Sequence, residues 1–153
     1  MFNRRKNSRQ TLPPLPQCEG DLTSEAATEL HNRVVQSVLS EGPEYAAKLL
    51  NSVIWTPRNV LVLAAMLGNE VASGLMRSRR ALDYAHRPQP EDPVAAATWM
   101  LVREFVQKDP DTAMVIARGL AQPRDAEQPT TPPVIGPAVV RHLVGELAAV
   151  SGP

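Results

Sequence analysis

At five points in this chain a proline that directly follows a Gly, Thr or Asp also opens a stretch of helical apolar spacing: Gly42-Pro43, Thr56-Pro57, Asp92-Pro93, Asp109-Pro110 and Gly136-Pro137. Nothing else in the sequence constrains the fold as strongly. Proline at the first helical position forfeits no hydrogen bond, because that N–H has no partner in any helix, and its ring presets φ near the helical value. A preceding Thr or Asp can accept a bond from one of the orphan amides of the first turn. Proline also disfavours helical geometry in the residue before it, so any earlier helix must stop there. The five junctions therefore predict five helix starts. They take up five of the chain's 15 prolines, a number about twice the ordinary share.

Apolar spacing fills in the elements between these marks. A first helix is expected after Asp21 or Thr23, running to Glu41, with Ala27, Leu30, Val34 and Val38 on one stripe and Glu29, Asn32, Arg33 and Gln36 facing away. Gly42 ends it. The second helix carries Tyr45, Ala46, Leu49, Leu50, Val53 and Ile54 on a broad apolar face. The third is long, from Pro57 to about Tyr84; the fourth spans Pro93 to about Lys108 and the fifth Pro110 to about Ala121. The last, from Pro137 to about Val150, presents Val140, Leu143, Val144 and Leu147 together. No stretch alternates apolar and polar residues beside β-branched strand formers, so no sheet is expected. Glu29–Arg33 and Glu104–Lys108 stand at the spacing of solvent-side helical pairs.

The expected fold is all-α. It comprises a disordered basic and proline-rich arm over residues 1–21, a compact bundle of about five helices over 22–122, a proline-rich linker over 123–136, and a separately tethered amphipathic helix over 137–153. Leu12-Pro13-Pro14-Leu15-Pro16 suits a short polyproline II piece. The linker, if fully of that form, would reach on the order of 40 Å.

The third helix is the most informative. Val60, Ala64, Leu67, Val71, Leu75 and Leu82 share a face at 100° per residue, and Asn69, Ser73, Arg77 and Arg80 share the opposite arc. In the first half that arc holds Val62 and Met66, so this half is apolar all round and must be enclosed by neighbours or by a second subunit. Ala64, Gly68 and Ala72 make a smooth strip for close helix packing. Val60–Met76 is interrupted by Asn69, Glu70 and Ser73, and reads as falling short of a membrane span.

Charge is balanced overall but unevenly spread. Residues 1–10 hold four bases and no acid, 11–47 have a net charge of −5, 48–90 of +4 and 91–128 of −3. The strongest polar signal is the cluster Arg77, Arg79 and Arg80, followed by Arg87. Such a cluster favours a helix C-terminus through the helix dipole, and it can also meet the acidic block or, with the arm residues Arg4, Arg5 and Lys6, bind phosphates. Zero net charge and the lack of interleaved aromatic residues count against nucleic acid. A helix-turn-helix around Thr56-Pro57 would put the strongly apolar Val60–Leu63 segment in a groove, which is unfavourable.

No phosphate loop, nucleophile elbow, HExxH or CxxC motif is present. The three histidines lie in separate segments: His31 reads as a packed residue, and His142 with Glu146 as a surface pair. Glu70 reads as an acid at a helix edge near an arginine rather than a buried acid of raised pKa. Cys18 is the only cysteine, so no intrachain disulfide can form, and a cytoplasmic setting is expected. The polar residues and prolines of Thr11–Asp21 argue against an export signal.

These readings point to a non-enzymatic protein–protein interaction or adaptor module that self-associates as a homo-oligomer. It would need no cofactor, metal, membrane or small-molecule substrate. Its candidate partner surface is Val62, Met66, Val140, Leu143, Val144 and Leu147. The alternatives are a small DNA-binding regulator using Arg4, Arg5, Lys6, Arg77, Arg79 and Arg80, and a structural component of a phage or mobile element.

Overall fold

The structure, a computed structural model, describes Leu15 and residues 17–123, 127–128, 130–133 and 135–151. Arg4, Arg5, Lys6 and the Leu12–Pro14 piece lie outside the described residues. Among those described, seven α-helices occur: α1 (Ser24–Ser40), α2 (Pro43–Leu49, extended by a 3-10 turn, Leu50–Ser52), α3 (Pro57–Arg77), α4 (Ala81–His86), α5 (Pro93–Val106), α6 (Pro110–Leu120) and α7 (Gly136–Ser151). The described residues contain no strand, only an isolated antiparallel bridge between Pro123 and Pro133. The fold is all-α.

Each predicted cap is made. Thr56, Asp92 and Asp109 accept bonds from the backbone N–H of Asn59, Ala95 and Thr112 at 3.1, 2.9 and 3.1 Å. Thr23 does the same for Ala26 at the start of α1. Gly42 has a φ of 102°, a left-handed conformation that lets the chain reverse between α1 and α2 without Cβ strain.

The long third helix is shorter than its apolar pattern suggested. It ends at Arg77, and the chain turns through Arg79 at φ 63°. There Arg79 N–H donates to the Met76 carbonyl (3.2 Å) and Arg80 N–H to that of Leu75 (2.9 Å), the paired bonds of a Schellman stop. The register restarts in α4, so Leu82, expected on the buried face, is 72% exposed. The same device ends α5: Lys108 has φ 61°, Lys108 N–H donates to Phe105 and Asp109 N–H to Glu104. Glu104 consequently does not form the expected pair with Lys108. It is buried and pairs with Arg103 at 3.0 Å, while Arg103 lies over the ring of the buried Trp99.

The largest departure concerns the last helix, which is not held apart. Gly136, Val139, Val140, Leu143, Val144 and Leu147 of α7 are buried, and α7 packs along α3 as its principal neighbour. The physical reason is a balance. Burying each such side chain stabilises by about 1.5–3 kcal/mol, whereas closing a loop costs more only slowly with its length. The C-terminal end of the linker joins the fold as well, with Pro133 buried and Ile135 packed on the core. The approach is close at the start of α7: a Cβ on Gly136 would lie 2.5 Å from Val60 Cγ1 and 2.7 Å from the Leu120 carbonyl oxygen.

The result is a bundle around α3, which meets α1, α5, α6 and α7. The small-residue strip does admit a neighbour, since a Cβ on Gly68 would sit 3.1 Å from Leu101 Cδ2 of α5. By length and composition α3 could cross a bilayer, with 21 residues and a mean hydropathy of 1.4 over its best window, so the interruptions do not disqualify it as expected. Its apolarity has an internal explanation: more than half of that window is buried within the bundle.

The other end of the chain is also anchored. The arm residues Gly20 and Asp21, expected to be disordered, and Leu22 after them are held by Asn59, which is buried in the first turn of α3. Its Nδ2 donates to the carbonyls of Gly20 (3.0 Å) and Ile54 (2.7 Å), and its Oδ1 accepts from Leu22 N–H (2.8 Å). Asp21 lies 3.8 Å from Arg58.

Candidate interaction surface

Four of the six apolar residues expected to face a partner do not. Val140, Leu143, Val144 and Leu147 are at most 2% exposed, covered by the chain's own helices, and are core residues. Val62 and Met66 are different. They stand half-buried on the arc of α3 opposite Val60, Leu67 and Val71, together with Asn69, Ser73, Met76 and Arg77. Asn69 is exposed and Met76 is 41% exposed. Helices α1, α5, α6 and α7 enclose the buried arc and leave this one open.

The arc runs toward the end of the bundle where the basic cluster lies. A groove of about 310 Å³ opens there, lined by Leu39 of α1, Gly74, Arg77 and Ser78 at the end of α3, and Val150 and Ser151 at the end of α7. Three helices therefore finish close together, each with the partial negative charge of its unsatisfied carbonyls. Arg80 answers one of them, its Nη2 donating to the carbonyls of Ala149 (3.4 Å) and Val150 (3.2 Å). Arg87 is stacked over the Tyr84 ring, 4.3 Å from its centroid. Arg77 and Arg79 are exposed and come within ion-pair distance of no carboxylate among the described residues. The cluster thus divides, with one arginine closing a helix end and two remaining available.

Sequence reasoning missed Leu39, which is 65% exposed beside Arg77. The signal was present: it lies 100° from Val38 and off the buried stripe of α1. It also missed the Asn59 latch, because a polar residue in the first turn of a helix carries no spacing pattern.

No chemistry assembles elsewhere among the described residues. No group of three metal-capable side chains comes together. Burial foremost, then the Asp21 carboxylate, pushes the Cys18 thiol up, so at neutral pH it is a poor nucleophile. His31 Nε2 lies 3.6 Å from Glu70 Oε1, so Glu70 is indeed at a helix edge, although its neighbour is a histidine and not an arginine. His142 and Glu146 form no ion pair. A groove of about 690 Å³ follows the polar face of α1 past Glu25, Glu29 and Arg33. Its charged groups are strung along one helix and do not converge on a point, so its size alone makes it no site.

The chain matches no protein-family model, and comparison with curated proteins and with solved structures returns no match.

Proposed function

We propose that this protein is a non-enzymatic interaction module, a helical bundle that docks a protein partner on the open arc of α3. The observation that carries the reading is the placement of Val62 and Met66. The chain packs the opposite face of this apolar helix into its core, yet leaves these two side chains half-buried on an arc that ends at the exposed Met76, with the exposed Leu39 beside Arg77. Contiguous apolar surface rimmed by polar residues marks sites of association. Methionine suits such a surface because its unbranched thioether adapts to a partner's shape. A cytoplasmic setting belongs to the same reading, as does the lack of need for a cofactor.

The test is capture by immobilised protein from an extract of the native host. Wild type should retain a partner, whether another copy of the chain or a different protein. Val62→Glu/Met66→Glu should lose it with an unchanged far-UV circular dichroism spectrum. Equal capture by both proteins, or by neither, would sink the reading.

A second reading, binding of nucleic-acid phosphates, is favoured by the two guanidinium groups of Arg77 and Arg79 that no carboxylate neutralises. It predicts duplex binding that weakens steeply with salt, with a slope set by the number of phosphates neutralised. Arg80 contributes less to it, being held by the end of α7.

A further inference from the structure

We propose that the end of the bundle where α1, α3 and α7 finish seats the same end of a second copy, giving a two-fold dimer. The proposal rests on the interaction-module reading and names the partner for one part of that surface. Leu39, a large apolar side chain 65% exposed, lines the groove there beside Arg77, and Met76, 41% exposed, lies one residue before Arg77 in α3. On the basic side stand Arg77 and Arg79. On the acidic side stand Glu41 and Glu44, both exposed, on either side of the Gly42-Pro43 turn that follows Leu39. Glu41 is two residues from Leu39, so the chain cannot carry its Cα more than about 7 Å away. None of the four charges has an ion-pair partner among the described residues.

An isologous interface needs a patch complementary to itself, in which residue i meets j and j meets i. A patch of one sign repels its own copy. This one sets Arg77 beside Leu39 and keeps Glu41 within two residues of that leucine along the chain, so rotation by half a turn can bring Glu41 and Glu44 of each copy toward Arg77 and Arg79 of the other. Tyr45, 40% exposed in the first turn of α2, adds an amphipathic ring beside the acids. The same mixture disfavours a nucleic-acid occupant, because the two glutamates would repel phosphate where the arginines attract it.

Sedimentation velocity over a wide concentration range tests this on the full chain. Wild type should pass from monomer to dimer, and added salt should weaken the dimer. Leu39→Glu should weaken it about tenfold or more. Arg77→Glu/Arg79→Glu and Glu41→Arg/Glu44→Arg should each be monomeric, and their equimolar mixture should recover a dimer, since each reversed charge again faces its opposite. That rescue separates an interface from simple loss of folding, with circular dichroism of each variant as the check. A wild-type chain that stays monomeric throughout overturns the proposal and leaves the module reading to its own capture test. A dimer that survives both reversals but dissolves in Val62→Glu/Met66→Glu also overturns it, moving self-association to the arc and sparing that reading. Salt-sensitive duplex binding that is lost in Arg77→Glu/Arg79→Glu, with no dimer, overturns it in favour of phosphates.

Discussion

Asn59→Ala should destabilise this protein more than its single side chain suggests. The amide makes three hydrogen bonds of 2.7–3.0 Å, to the Ile54 carbonyl, the Leu22 amide and the Gly20 carbonyl, and so ties the entry of α3 to a strap 37–39 residues away. Truncation leaves the Leu22 N–H and the Gly20 carbonyl without this partner, while the Ile54 carbonyl keeps its bond from the Thr56 N–H at 2.8 Å. Each net bond contributes about 1 kcal/mol, and a group left buried and unpaired costs about 1–3 kcal/mol. These bonds are part-buried, so water can replace some of what is lost, and the working expectation is ~2–4 kcal/mol. Against the ~5–15 kcal/mol of a typical domain this is a large fraction. It corresponds to a fall in Tm of roughly 5–15 °C at the sensitivity of a chain this size. Urea unfolding measures it, with an unchanged m-value expected because the surface exposed on unfolding hardly changes. Asn69→Ala is the internal control: same helix, same residue type, exposed side chain. It should be neutral or slightly stabilising, since Ala is the better helix former. If Asn59→Ala and Asn69→Ala unfold within ~0.5 kcal/mol of one another, the latch does not hold the strap and the reasoning fails.

Three further outcomes follow from the same contacts. Thr56→Ala, Asp92→Ala and Asp109→Ala should each cost about 1 kcal/mol by thermal denaturation, and the effects of Thr56→Ala and Asp109→Ala should add if the caps are separate sites. Gly136→Ala should cost at least ~1–3 kcal/mol, because its Cβ would meet Val60 Cγ1 at 2.5 Å and the backbone oxygen of Leu120 at 2.7 Å, and backbone does not yield as a rotamer does. Tyr84 has its phenol pushed up from the usual 10.0, chiefly by burial, then by the Glu146 carboxylate, with Arg87 opposing. A group raised in the folded state stabilises fully below its unfolded pKa, so this contribution should be lost as pH climbs above about 10. Urea midpoints taken on both sides of that pH should fall less in Tyr84→Phe than in wild type; equal slopes would rule Tyr84 out as the source.

What could be read from the sequence divides along a physical line. Helix starts were legible because capping is local: Thr56, Asp92 and Asp109 bond amides three residues ahead, and the proline that follows each is there for the same reason. Helix stops were less so. At Arg79 and Lys108 the chain places a basic residue in a left-handed conformation where glycine is the usual signal. Apolar periodicity continued past Arg79 to Leu82 with nothing in the pattern to announce the break. The candidate surface split in the same way. The outward position of Val62 and Met66 followed from angular spacing on one helix, whereas the division of the arginines depended on where the end of α7 came to rest.

That last dependence is the general one. An amphipathic face declares that it must be covered and says nothing of what covers it. Val140, Leu143, Val144 and Leu147 needed a neighbour, and so did the first half of α3, apolar on every side. Proline in the intervening segment was a poor guide to their separation, because loop-closure entropy rises only logarithmically with length while burial accumulates side chain by side chain. The two demands met each other within the chain. Substitutions at these α7 positions should therefore unfold the protein and not merely dissociate it, since each opens a cavity beside α3. Once α7 is taken up internally, the apolar surface left on and beside α3 contracts to Val62 and Met66 along the arc, Met76 at its end and Leu39 beside Arg77. A partner of this protein, including its own copy, has that narrower target to recognise.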